Sequence, residues 1–346
     1  MSVIYSRVDV KEAAIIAYSG PGSTNYILAT IREAEVINEG QSLEAYDYII
    51  SPFDKSLHSR IGIHIASYAA SMKFDCYPQG QMPSDNTSLE EYNSCFEKAI
   101  TTIEAKELKK IVISRVKNIY NDVENIYPLF VSLKNKYPSS YTFLIHIPNW
   151  GTWMGSTPEL LIKSANHGYT SRAVAGTRPS TDKTKNWSSK EIEEHRYIET
   201  YLKESLSKVS VEHAISPTFD LEAGPVTHIC SDIKINSTSQ LDNILDIIHP
   251  GPALSGMPRD AAIQKISEIE LHDRRYYCGY LGRIESPDKL EFYAMIRCMQ
   301  VYKNGYRLYL GGGITADSEL QKEWKETNLK AETLLSVLEE KKAINE

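Results

Sequence analysis

The chain has 346 residues, 42% of them apolar and 24% charged, which is the composition of a protein with a sizeable core. These values exclude a disordered, collagen-like or disulfide-stapled chain. Lys plus Arg is 38 against 45 for Asp plus Glu, a net charge of −7 that argues against general nucleic-acid or anionic-membrane binding while leaving room for a local basic pocket. No apolar run reaches the roughly 20 residues that span a bilayer. The N-terminus MSVIYSRVDVKEAA shows no signal pattern, so a cytoplasmic location is expected. Five scattered cysteines without a CxxC read as reduced thiols.

In chain order, residues 1–85 mix short β-type runs (Val3–Tyr5, Tyr46–Ile50) with a possible helix near Ser23–Glu33. Tyr77–Thr87 is rich in Pro, Gly, Ser and Asn and reads as a loop, either a boundary or a turn inside one domain. Ser88-Leu-Glu-Glu91 is a capping box opening a helix to about Leu108. Lys110–Val116 (KIVISRV) is β-branched and predicts a strand. A helix is expected over Pro128–Tyr137, a strand over Thr142–Ile147 and a strand pair over Trp153–Lys163 around Gly155. Ser189–Leu206 predicts a charged amphipathic helix and Val226–Ile235 a strand; Pro258 marks the start of a helix to about Ile269. Three strands (Tyr277–Ile284, Leu290–Val301, Tyr306–Leu310) and a helix from Glu319 to Lys341 complete the pattern. Short turns such as Lys303-Asn-Gly305 imply antiparallel pairing, and the mixture defines an α+β class.

Several residues suggest chemistry, each with a plainer alternative. Gly311-Gly-Gly313 follows a strand and is either a tight turn or a cradle in which backbone N–H groups meet an anion. Glu323, Glu326 and Lys330 share one helical face, as Mg²⁺ ligands with a neighbouring cation or as a solvated face with an i,i+4 pair. Lys110 heads an apolar strand, where desolvation lowers an amine's pKa and makes a base; many such lysines instead snorkel outward. Glu159, at the turn in Gly155-Ser-Thr-Pro-Glu159, fits a general acid or a turn residue facing water. Arg297, inside the apolar stretch FYAMIRC, suits a carboxylate ligand or a structural ion pair. The histidines, His195 and His228 among them, lack zinc-ligand spacing.

Taken in order, KIVISR, GSTPELLI, VAGTRP, EEH, HPGPALSGMPRDAA, YYCGYLG, AMIRC and GGGITADSELQKEWKETNLKAETLL resemble the chorismate-utilising enzymes: isochorismate, salicylate, anthranilate and aminodeoxychorismate synthases. The match spans about residues 88–342, with 1–85 the divergent part. The resemblance implies one domain over 1–346: a four-layer α/β/β/α sandwich of two antiparallel sheets, as in anthranilate synthase component I. It implies that Lys110 deprotonates water attacking C2 of chorismate while Glu159 protonates the departing C4 hydroxyl. Amine-adding members usually carry another residue at the Lys110 position and draw ammonia from a glutaminase, so isochorismate is the expected product and no glutaminase subunit is expected. Salicylate synthase, which goes on to eliminate pyruvate, is the alternative, and an aminodeoxychorismate or anthranilate synthase component the third reading. The resemblance further implies Mg²⁺ on Glu194 and Glu326, with Glu323 direct or through water. Glu193 is the alternative to Glu194, since neighbours on a helix point about 100° apart. Gly176, Thr177, Tyr277, Arg297, Gly311, Gly312, Gly313 and Lys330 are expected around the substrate, and His228 near the leaving hydroxyl. Relatives often have Thr at the Gly251 position and Ala at the Cys278 position. A monomer or weak homo-oligomer is expected, serving menaquinone or siderophore synthesis.

Overall fold

Runs such as IIAYS and KIVISRV are buried at successive residues, on both faces of the strand, which calls for a sheet covered twice over. The computed structural model describes residues 8–9, 14–148, 150–165, 168–179, 181, 186–209, 211–223, 226–236 and 241–345. Its first elements are β1 (Val8–Asp9), β2 (Ile15–Ser19), β3 (Ile27–Val36), β4 (Tyr48–Ser51), β5 (Ile61–Ala70) and β6 (Phe74–Asp75). Then come α1 (Leu89–Glu104), β7 (Lys110–Tyr120), α2 (Tyr127–Lys136), β8 (Tyr141–Ile147), β9 (Gly151–Thr157), β10 (Leu160–Ala165) and β11 (Gly168–Pro179). The next are α3 (Ser189–Lys208), β12 (Glu212–Ile215), β13 (Phe219–Ala223), β14 (Val226–Asn236), α4 (Leu241–Ile248), β15 (Gly256–Met257) and α5 (Arg259–Ile269). The chain closes with β16 (Tyr280–Ser286), β17 (Lys289–Ala294), β18 (Cys298–Tyr302), β19 (Gly305–Ile314) and α6 (Leu320–Asn345).

The strands pair antiparallel in the order β15-β7-β19-β18-β9-β8-β2-β3-β5-β4-β16-β17-β10-β11-β14, with β12 and β13 both on β14. The two expected sheets are thus joined through the long β3–β5 pair into one ladder whose halves face each other. Between the halves lie Ile16, Tyr18, Tyr141, Phe143 and Ile145 from one side and Tyr48, Ile50, Leu281 and Tyr293 from the other. The alternate residue Leu144 points outward, where Phe130 and Leu133 of α2 and Leu334 and Leu338 of α6 cover it. On the far side, Ile198 and Leu202 of α3 and Ile244 and Leu245 of α4 cover Ile162, Ile233 and Phe292. This is the α/β/β/α layering.

Some local expectations are corrected. Ser23–Glu33 is not helical: ILATIREAEV forms β3, held in register by β2 and β5 on either side. Gly155 lies inside β9, and the turn into β10 falls at Pro158-Glu159. Leu290–Val301 is two strands, because the chain breaks at Met295–Arg297, where Arg297 takes φ +49°. Gly311–Gly313 is no turn but the end of β19, paired with Val112–Ser114. The helix begun at Ser88, with both capping-box hydrogen bonds made, stops at Glu104. Val3–Tyr5 lies outside the described residues. The loop Tyr77–Thr87 is pinned to β7, since Asn118 Nδ2 donates to the carbonyls of Pro83 and Asp85 at 2.8 Å.

Candidate active site

Three glycines explain how the site is built. In β19 successive residues face opposite ways, and each glycine leaves room for a side chain from another element. A Cβ on Gly313 would stand 2.7 Å from Lys110 Cε, and one on Gly311 2.7 Å from the Tyr277 hydroxyl. On the opposite face, a Cβ on Gly312 would stand 3.5 Å from Glu323 Oε2. The glycine run is therefore a bare strand surface over which Lys110 and Tyr277 lie side by side.

These residues open into a cavity of about 1270 Å³. Its lining includes Lys110, Glu159, Gly176, Glu194, His228, Tyr277, Arg297, Gly311, Gly312, Gly313, Glu326 and Lys330. Residues drawn from both halves of the ladder and from α3 and α6, far apart in the chain, thus converge on one space.

Lys110 is 7% exposed. Burial lowers its pKa, helped by Lys330 and opposed by Glu194, Glu326 and Glu159. Glu159, half-buried at the β9–β10 turn, is anchored by its backbone: its N–H donates to Thr157 Oγ1 at 3.2 Å and its carbonyl accepts from Ala294 N at 3.0 Å. Burial pushes its carboxyl up to about 7 against the pull of Lys110, Lys330 and Arg297. An amine shifted down and an acid shifted up thus line one cavity, each moved by burial in the direction that general acid–base chemistry near neutral pH requires.

The cationic side of the cavity is equally defined. Lys330 Nζ donates to Gly311 O at 2.9 Å and pairs with Glu326 at 2.7 Å, tying α6 to β19. Arg297 Nη1 donates to Thr333 Oγ1 at 2.9 Å. Its pKa is lowered, by burial first, yet guanidinium keeps its charge in proteins. Tyr277 stacks on Tyr309, with ring centres 5.6 Å apart. His228 Nδ1 lies 2.8 Å from Gly176 O, which fixes that nitrogen as the donor and leaves Nε2 as an acceptor. Burial lowers the His228 pKa, so the ring is neutral at pH 7. Gly176 itself sits at φ +59°, and a Cβ there would press on Trp187 at 3.1 Å and Glu191 at 3.2 Å. The side chain of Thr177 lies outside the described residues.

Of the adjacent carboxylates, Glu194 faces the cavity, whereas Glu193 is exposed and accepts from Tyr197 Oη at 2.8 Å. Glu323 is 4% exposed and accepts from Ser318 Oγ at 2.7 Å, beside Gly312. Among the described residues no three His, Cys, Asp or Glu side chains form a ready metal cluster. Glu194 and Glu326 on the cavity wall nonetheless suit Mg²⁺, which takes one or two carboxylates and completes its shell with water and substrate oxygens. His195 is a core residue whose Nδ1 stands 3.8 Å from Glu199. Glu191, not singled out from the sequence, also lines the cavity. Its only local signal is the capping box with Ser188 that starts α3.

The chain belongs to the chorismate binding enzymes, whose family pattern matches residues 57–336. It is 31% identical over 244 residues to isochorismate synthase EntC of Escherichia coli K12, covering 67% of this chain and 62% of that protein. Over 256 residues it is 30% identical to isochorismate synthase MenF of Haemophilus influenzae, covering 70% and 59%. The chain thus matches about three fifths of the length of these relatives. In fold it is similar to MenF, the menaquinone-specific isochorismate synthase of Escherichia coli: TM-score 0.77 at 19% identity, over 95% of this chain and 90% of that one.

Proposed function

We propose that the protein is an isochorismate synthase, converting chorismate to isochorismate. The observation that carries this reading is the pairing of Lys110, its pKa lowered, with Glu159, raised to about 7, on the wall of one cavity. Uncharged Lys110 takes a proton from water as its oxygen bonds to C2. The ring electrons shift, so that C1=C6 and C4=C5 replace C1=C2 and C5=C6. Glu159 gives its proton to the C4 oxygen, which leaves as water. One water enters and one leaves, and the protons on Lys110 and Glu159 are exchanged with solvent.

The substrate is a dianion, which explains cationic groups inside an acidic protein. Arg297 and Tyr277 hold the enolpyruvyl carboxylate against the Gly311–Gly313 strand. Neutral His228 orients the ring near the leaving oxygen, and Gly176 lets the backbone come close. Glu194 and Glu326 would hold Mg²⁺, which when bound neutralises the ring carboxylate, and Lys330 offsets the charge of Glu326. A role for the product in menaquinone or siderophore synthesis is supported by a further relative, the vibriobactin-specific isochorismate synthase of Vibrio cholerae, 27% identical over 83% of this chain. No described helix is long and apolar enough to cross a membrane.

The test is product analysis of chorismate turnover by the pure protein with and without Mg²⁺ and ammonium. Isochorismate formed without ammonium supports the reading. Pyruvate with salicylate fluorescence replaces it with a salicylate synthase, and an ammonium-dependent aminated product replaces it with an amine-adding enzyme.

A further inference from the structure

The strand that carries Lys110 is sealed along its outer edge in a singular way. On one side β7 pairs with β19 over its length. On the other, β15 covers only Lys110 and Ile111, and Ser255 O takes the Val112 N–H at 2.8 Å. The next two backbone groups on that edge, Val112 C=O and Ser114 N–H, have no strand beside them among the described residues. They are met by side chains. Arg274 Nη2 donates to Val112 O at 2.6 Å, and Glu270 Oε1 accepts from Ser114 N at 2.5 Å and from Ser114 Oγ at 2.9 Å. Within the pair, Arg274 Nε and Nη2 donate to the two Glu270 oxygens at 2.8 and 2.6 Å. A donor facing a carbonyl and an acceptor facing the amide two residues on is what a neighbouring strand would supply. Further along the same edge, Thr87 Oγ1 and Asn86 Oδ1 accept from Val116 N and Asn118 N at 3.1 Å.

The ion pair reaches in two more directions. Arg274 Nη1 donates to Leu254 O at 3.0 Å, and the Arg274 carbonyl accepts from Tyr277 N at 2.8 Å. Val112, Leu254 and Tyr277 all line the cavity, whereas neither Glu270 nor Arg274 touches it. The two side chains are only 3% and 4% exposed. Burial alone would raise Glu270, but Arg274, His272 and the bond from Ser114 outweigh it and hold the carboxyl below its usual range. Replacing a buried ion pair by apolar groups is often neutral for stability, so stability alone is a poor reason for charges at this spot.

We propose that Glu270 and Arg274 are positioning residues: as an ion pair standing in for a missing strand, they fix β7, and with it Lys110, in one frame with the Tyr277 turn. This rests on reading Lys110 as the base. The test compares R274K, which cannot make the forked contacts, and E270Q/R274M, which strands no charge and keeps an acceptor for Ser114. Each is read by melting temperature, by amide hydrogen exchange of substrate-free protein and by kcat and KM for chorismate. Both variants fold. Exchange rises at least tenfold in the segment 108–116 while peptides of α2 and α6 keep their rates. kcat falls about 100-fold, the scale of an ångström's misplacement, and KM changes only a few-fold. Unchanged exchange in 108–116, or full kcat in the folded variants, overturns the proposal; so does exchange raised evenly along the chain. Because exchange is read without substrate, a wild-type protein inert toward chorismate sinks the proposed function and leaves the exchange result to decide the positioning claim.

Discussion

Glu159→Gln isolates the acid. The carboxyl is raised from 4.5 to about 7 by burial, against three nearby cations. At pH 8 an acid of pKa about 7 is protonated in roughly one molecule in ten, and one of 4.5 in roughly one in 3,000. The site's surroundings therefore raise the competent fraction about 300-fold at that pH. As pH rises, the uncharged form of Lys110 grows and the protonated form of Glu159 shrinks, so kcat/KM for chorismate follows a bell. One limb of that bell lies near 7 and belongs to Glu159. His228 does not supply this limb, because its lowered pKa leaves it already neutral there. A glutamine amide carries no acidic proton, so E159Q loses about 10² to 10⁴ in kcat, and its residual rate lacks the limb near 7. The assay is chromatographic separation of chorismate and isochorismate across pH 5–9. Turnover by E159Q within threefold of wild type, or a limb near 7 that survives the substitution, refutes the assignment.

The same burial has a cost in stability. A carboxyl whose folded pKa is raised stabilises the fold below its unfolded value and loses that contribution as pH rises through about 7. E159Q is therefore expected to melt above wild type at pH 8, by at most about 3 kcal/mol, and level with it at pH 4, as scanning calorimetry would show. Gly313→Ala places a Cβ 2.7 Å from Lys110 Cε, the movable end of a side chain. It should leave melting near wild type while lowering kcat at least about tenfold, because the base is pushed from its place. Glu326→Gln removes one cavity carboxylate and the partner of Lys330. Titration calorimetry should show Mg²⁺ affinity weakened by at least about tenfold; unchanged affinity would free Glu326 from the metal.

The parts of the fold legible in the sequence are those with strong local signals. The capping box at Ser88 starts a helix, the charged amphipathic run from Ser189 forms another, and the β-branched run from Lys110 is a strand. Where neighbours decide, local reading fails. ILATIREAEV contains good helix formers, but strands on both sides hold it extended. Gly311–Gly313 looks like a turn because nothing local says that Lys110 and Tyr277 need bare strand beneath them. Arg297 reads as a mid-strand residue, although it sits where the chain turns between β17 and β18. The α4 helix, only eight residues long, is too short to stand out by periodicity. The site residues are legible only as a set. Each alone has a bland equivalent, and their order along the chain points to a common cavity.

The most direct measurement is turnover of chorismate in H₂¹⁸O. Attack of a solvent water from the Lys110 side predicts one ¹⁸O in each isochorismate molecule, at the new C2 hydroxyl, with none retained from the C4 oxygen. Unlabelled product would mean that the hydroxyl migrates within the substrate, and an aqueous base facing Glu159 across the ring would no longer describe this site.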